Sequence, residues 1–111
     1  MQLTAEQVSA AKAKEPRSKK VTIDAAGEII EVMIRPPTRA EAKLYKSLAN
    51  SQDEAKSAGA NEQLLKWCCV DPDPKTADFA TLIEQRGFLA DTVASKIKEL
   101  GGLTSKVELG E

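Results

Sequence analysis

Histidine is absent from this 111-residue chain, and aromatic side chains are scarce: one Trp, one Tyr and two Phe. Without imidazole the chain lacks the side chain that most often acts as a general base near neutral pH. It also has no Gly-x-Ser-x-Gly elbow, no phosphate loop and no dinucleotide fingerprint. Cysteine is confined to the adjacent pair Cys68 and Cys69. Two neighbouring thiols cannot supply the four tetrahedral ligands of a zinc site. A nucleophilic role would need an activating cation or base, and nothing in the pattern positions Lys66 or Lys75 for that task. Both cysteines are therefore expected as buried free thiols, with no metal and no cofactor. No apolar run approaches the roughly 20 residues that span a bilayer. Glu6, Lys12 and Lys14 interrupt the N-terminal stretch, so no secretory core is read there, and a cytosolic chain is expected. The 16 basic and 17 acidic residues nearly cancel, which argues against a broad electrostatic footprint for nucleic acid.

What the chain does contain is organised around Leu64-Leu65-Lys66-Trp67-Cys68-Cys69-Val70-Asp71-Pro72-Asp73-Pro74. Leu64, Leu65, Cys68 and Cys69 fall at helical spacing and predict one buried face. Pro72 and Pro74 then remove two backbone donors and disfavour helical geometry at the residues before them. The expectation is a core helix running from an Asn61 cap to about Cys69 and ending in a rigid corner, with Trp67 in its last turn.

The elements on either side follow from period and punctuation. Thr4 to Lys14 predicts a short helix, with Thr4 and Gln7 as a capping box. Pro16 and the charged run from Arg17 to Lys20 predict a linker. Val21 and Ile23, then Ile30, Val32 and Ile34, alternate with polar residues around a turn at Ala25-Ala26-Gly27, the pattern of a hairpin. A lone hairpin is marginal in water, so its Ile/Val face must cover helices or gain strands from another subunit. Pro36-Pro37 leads into a second capping box, Thr38 with Glu41, opening a helix that carries Leu44, Tyr45 and Leu48. Residues 51–60 are polar and contain a glycine, which leaves three readings open: a helix continuation, a loop or a mobile insert. Thr76 or Asp78 starts a helix with Phe79, Leu82 and Ile83 inward, and Gly87 marks its stop. Leu89, Val93, Ile97 and Leu100 repeat as one stripe, and Gly101-Gly102 ends it. The fold class expected is α+β, an N-terminal β-hairpin packed on a small bundle of about four helices. The divisions expected are an N-terminal helix and linker over 1–18, one domain over 19–103 and a tail over 104–111. The predicted core is Leu64, Leu65, Cys68, Phe79, Leu82, Val93 and Ile97.

Two polar clusters have plain structural readings. Asp71, Asp73 and Asp78 hint at a calcium loop, but the positions that should hold a glycine and a bidentate glutamate hold Thr76 and Leu82. A proline corner followed by a helix cap fits them better. Arg17, Lys19 and Lys20 lack a neighbouring aromatic platform for nucleic acid and fit a solvated linker. Trp67 is either a core anchor or, beside a rigid corner, a half-exposed anchor for a partner.

The order of these elements resembles a known family. Leu-Thr-Ala-Glu-Gln-Val opens a short helix before a charged linker. A hairpin of Lys-Val-Thr-Ile-Asp, then Gly-Glu, then Ile-Arg-Pro-Pro-Thr leads to a helix with Ala-Glu. An apolar helix ending Cys-Val-Asp-Pro and a Phe/Leu-rich helical pair follow. From Leu3 to Leu103 this set is similar to the small tail assembly chaperones of long-tailed, siphovirus-like bacteriophages and prophages. The resemblance implies a non-enzymatic protein that binds the tape-measure protein and keeps it soluble while tail-tube subunits polymerise. It implies the host bacterial cytoplasm as location and absence from the mature virion. The tail-tube protein would be a further partner, and the hairpin edges would offer a route to a homo-oligomer. No catalytic residues are expected. Apolar side chains near the hairpin and corner, Ile29, Met33 and Trp67, are expected to form the partner surface, with Ile29 and Met33 on the strand face away from the helices. The alternative from another class is a small nucleic-acid-binding regulatory protein using the basic linker and the helices after Pro74.

Overall fold

The computed structural model describes residues 2–25 and 27–101; the expected tail over 104–111 lies outside them. The order is α1 (Ala5–Lys14), β1 (Lys19–Ala25), β2 (Glu28–Ile34), α2 (Arg39–Ala49), α3 (Glu54–Ala58), α4 (Ala60–Cys68), β3 (Cys69–Asp71), α5 (Ala77–Glu84) and α6 (Leu89–Leu100). The fold is α+β, as the sequence predicts, with the hairpin packed on helices.

β1 and β2 pair antiparallel from Lys19↔Ile34 to Ala25↔Glu28. Gly27 closes the turn at φ 84°, a conformation a Cβ would strain. Because side chains alternate across a strand, Val21 and Ile23 join Ile30, Val32 and Ile34 on one face. That face meets Leu64, Leu65, Cys68, Phe79, Leu82, Leu89, Val93 and Ile97 in a single core. All seven residues of the predicted core are buried. Fully burying one such aliphatic side chain is worth about 1.5–3 kcal/mol.

Several features differ from expectation. The sheet has three strands, in the order β1-β2-β3, and its third strand comes from the same chain. The central helix stops at Cys68, and Cys69–Asp71 pairs antiparallel with β2 through Ile34 and Met33. The helix-to-corner segment thus spends three residues as a strand. Asn61 does not cap α4. Gly59 occupies the cap without a side-chain bond, and Asn61 reaches sideways to other helices. Leu44 is exposed, while Tyr45 packs on the core, so α2 presents only part of its apolar stripe inward. α5 ends at Glu84, before the expected Gly87 stop. Within the polar stretch that the sequence leaves open between helix, loop and insert, residues 54–58 form a short separate helix capped by Asp53.

The largest correction concerns Met33. Alternation along β2 predicts an accessible side chain there, yet Met33 is fully buried. The cause is α1. The Leu3 amide donates to Glu31 Oε1 at 2.8 Å, Lys14 Nζ lies 3.8 Å from Asp73, and Ala11 is buried between these ends. The helix therefore runs over the second face of the sheet from Glu31 on β2 toward the corner just past the end of β3. The outcome is three layers: α1, the sheet, and the remaining helices. At the foot of the bundle Gly101 backs onto Pro37, where a Cβ would fall 2.7 Å from the proline ring.

Candidate functional site

The Trp67 corner is held from β2. Arg35 follows the last strand residue, and its backbone amide donates to the Cys68 carbonyl at 2.9 Å. Its guanidinium donates to both Glu41 carboxylate oxygens, at 2.7 and 2.8 Å, to the Trp67 carbonyl at 2.7 Å and to the Pro36 carbonyl at 3.1 Å. Glu41 is at the same time the N3 member of the Thr38 capping box and accepts from the Thr38 amide at 2.9 Å. One planar cation thus ties the end of β2 to the start of α2 and to the Trp67 carbonyl at the end of α4. The guanidinium holds the Glu41 carboxyl below its ordinary value, and the carboxylate raises Arg35. Trp67 itself is half-buried against the core.

The cysteines on either side of the helix end are free and buried. The Cys69 thiol donates to the Pro72 carbonyl at 3.1 Å. Loss of hydration pushes both thiols up to about 12. At neutral pH the thiolate, which is the nucleophile, is therefore disfavoured at both. The Asp-Pro corner is a turn and a cap. The Asp73 carboxylate accepts from the Lys75 amide at 2.9 Å, and the Thr76 hydroxyl caps α5. Burial raises the Asp71 carboxyl, partly offset by Lys14. Among the described residues no group of three or more His, Cys, Asp or Glu side chains is placed to hold a metal ion.

A polar chain links the outer helices. Lys98 Nζ donates to the Tyr45 hydroxyl at 3.1 Å, that hydroxyl to Asn61 Oδ1 at 2.8 Å, and Asn61 Nδ2 to Asp91 Oδ1 at 2.8 Å. It joins α2, α4 and α6. The basic run expected as a linker is in part a strand, because Lys19 and Lys20 pair with β2 as the first residues of β1. It is partly neutralised where it stands: Arg17 pairs with Glu15 at 3.3 Å and Lys20 with Glu31 at 3.5 Å.

The three residues expected at a partner surface do not form one patch. Met33 lies under α1, Ile29 is half-buried on the same sheet face, and Trp67 belongs to the helix layer. The open apolar surface lies elsewhere. Phe88, between α5 and α6, is 84% exposed. It stands at the rim of a cleft of about 280 Å³ floored by Ile23, Ile30 and Leu89 and closed on one side by an Arg86–Glu28 ion pair. The sequence does carry a signal for it. Phe88 precedes the Leu89-Val93-Ile97-Leu100 stripe by one residue, which turns its side chain about 100° off the buried face.

No protein-family model matches the chain, and no curated protein matches it. Among solved structures, an uncharacterised protein from Bacillus stearothermophilus superposes with a TM-score of 0.70 over 88% of this chain and 94% of that one, at 18% sequence identity. At that identity the likeness is one of fold.

Proposed function

We propose that this protein is a phage tail assembly chaperone, a non-enzymatic binding module. In this reading it holds apolar segments of a helical tape-measure protein in the host cytoplasm, keeps that chain soluble while the tail tube polymerises, and is left out of the virion. The tail-tube protein is its further partner, and self-association through the hairpin edge accompanies the role. The observation that carries the reading is the surface around Phe88. An aromatic ring this exposed, beside a cleft floored by core side chains, suits an apolar side chain presented by a client helix. The ordered motif set of the sequence supports the same reading.

The test is co-expression with the tape-measure protein encoded in the same genome. Wild type is expected to keep that chain in the soluble fraction and to co-purify with it. Phe88→Asp, at an exposed position, is expected to fold normally and to lose most of this protection. Trp67→Ala is expected to reduce it less, because Trp67 is half-buried. Protection undiminished by Phe88→Asp would place the client elsewhere. A wild-type protein that neither binds nor solubilises the client would end the assignment.

A further inference from the structure

We infer that the outer edge of β1 is a self-recognition surface, on which a second copy of this chain pairs antiparallel about a two-fold axis through Thr22. Among the described residues β1 is the first strand of the sheet and has no strand on its outer side. It is seven residues long, without a proline or a bulge to blunt it. An open cleft lined by Lys19, Lys20, Val21, Lys96, Glu99 and Leu100 lies between the start of the strand and the C-terminal half of α6. Such an edge is a template for pairing unless the chain prevents it.

The hydrogen-bonding phase follows from the hairpin. Ala25 and Glu28 are partners with two residues between them, which makes them a mutually hydrogen-bonded pair. Alternation then turns the amide and carbonyl of Lys20, Thr22 and Asp24 outward, to the free edge. Antiparallel pairing with a second copy must set residues of the same face opposite one another. Centred on Thr22, it places Thr22 opposite Thr22, Lys20 opposite Asp24 and Val21 opposite Ile23. All three outward-facing residues then find outward-facing partners. Moving the centre to Val21 sets Lys20 against Thr22, and moving it to Ile23 sets Asp24 against Thr22. Only the Thr22 centre sets outward-facing Lys20 against outward-facing Asp24, twice over by symmetry. Lys20 already lies 3.5 Å from Glu31 on its own sheet, so in the pair it would stand between two carboxylates. The lysines that blunt this edge against indiscriminate strands thus become the feature that selects a second copy.

This inference gives a register to the self-association named under the proposed function. It is tested without client, so either can fail alone. Sedimentation velocity from about 10 µM to about 1 mM, the range suited to a small interface, is expected to show a monomer–dimer equilibrium that weakens with salt. Asp24→Lys and Lys20→Asp, each shown folded by circular dichroism, are each expected to weaken dimerisation about tenfold or more, because attraction becomes repulsion at two pairs. An equimolar mixture of the two variants is expected to recover it, since at both positions a lysine on one edge then faces an aspartate on the other. Thr22→Cys is expected to form a cross-linked dimer under mild oxidation, because opposed residues of a bonded pair stand about 5.5 Å apart. A wild type monomeric throughout would overturn the proposal. So would a dimer indifferent to both charge changes, or one that the mixture does not restore.

Discussion

Arg35 and Glu41 form a two-pronged pair, with guanidinium nitrogens 2.7 and 2.8 Å from the two carboxylate oxygens. Both side chains are largely covered, 18% and 17% exposed. The pair stands where the sheet, α2 and the end of α4 meet, because the same guanidinium also reaches the Trp67 carbonyl. A planar five-donor cation can do this and a lysine cannot. Arg35→Met is expected to cost about 2–4 kcal/mol, since it leaves Glu41 and the Trp67 carbonyl without their partner. Arg35→Lys keeps the charge and loses the fork, and is expected to cost about 1–2 kcal/mol. Urea melts check both. Equal losses for Lys and Met would show that charge, not geometry, holds the corner.

The same pair sets a pH dependence. Arg35 holds the folded Glu41 carboxyl below its ordinary value of about 4.5. The stabilisation is therefore complete above that value and disappears as pH falls through the lower folded one. Asp71 has the opposite sign: burial raises its carboxyl, so its ionisation opposes folding and acidification relieves that cost. Stability measured from pH 7 down to pH 3 is expected to fall, and to fall less steeply in Glu41→Gln. An unchanged slope in that variant would remove Glu41 from the acid transition.

Both cysteines are expected to resist modification while the protein is folded. Their burial and thiol values near 12 leave little thiolate at pH 8. Labelling by a disulfide reagent should be slow in buffer and rapid in denaturant, with two thiols released. Prompt labelling of the native state at either position would show the helix end to be open.

Docking of α1 can be tested through the residue that it buries. Ala11→Glu places a carboxylate at a site only 5% exposed. It is expected to release the helix, to cost about 1–3 kcal/mol, and to leave Met33 open to peroxide oxidation. Met33→Leu, which conserves volume, is expected to stay within about 1.5 kcal/mol of wild type. If Met33 stays protected in Ala11→Glu, something other than α1 covers it.

Local chemistry by itself determined the hairpin, both capping boxes and the stripe on α6. Each is a pattern complete within one short window. Val21, Ile23, Ile30, Val32 and Ile34 alternate, Thr38 and Glu41 stand three apart, and Leu89, Val93, Ile97 and Leu100 keep one helical face. The predicted core is buried for the same reason. Tertiary structure decided what depends on distant partners. Cys69–Asp71 is too short to show a strand period and becomes a strand by pairing with β2. Asn61 has the chemistry of a cap, yet its amide is taken by Tyr45 and Asp91 from other helices. Met33 alternates correctly onto the second face of the sheet, but alternation cannot say whether that face meets water. Thirty-two positions separate Arg35 from the Trp67 carbonyl that it binds, and no period in the sequence connects them. A side chain's direction follows from its own segment; what it meets there depends on how the segments pack.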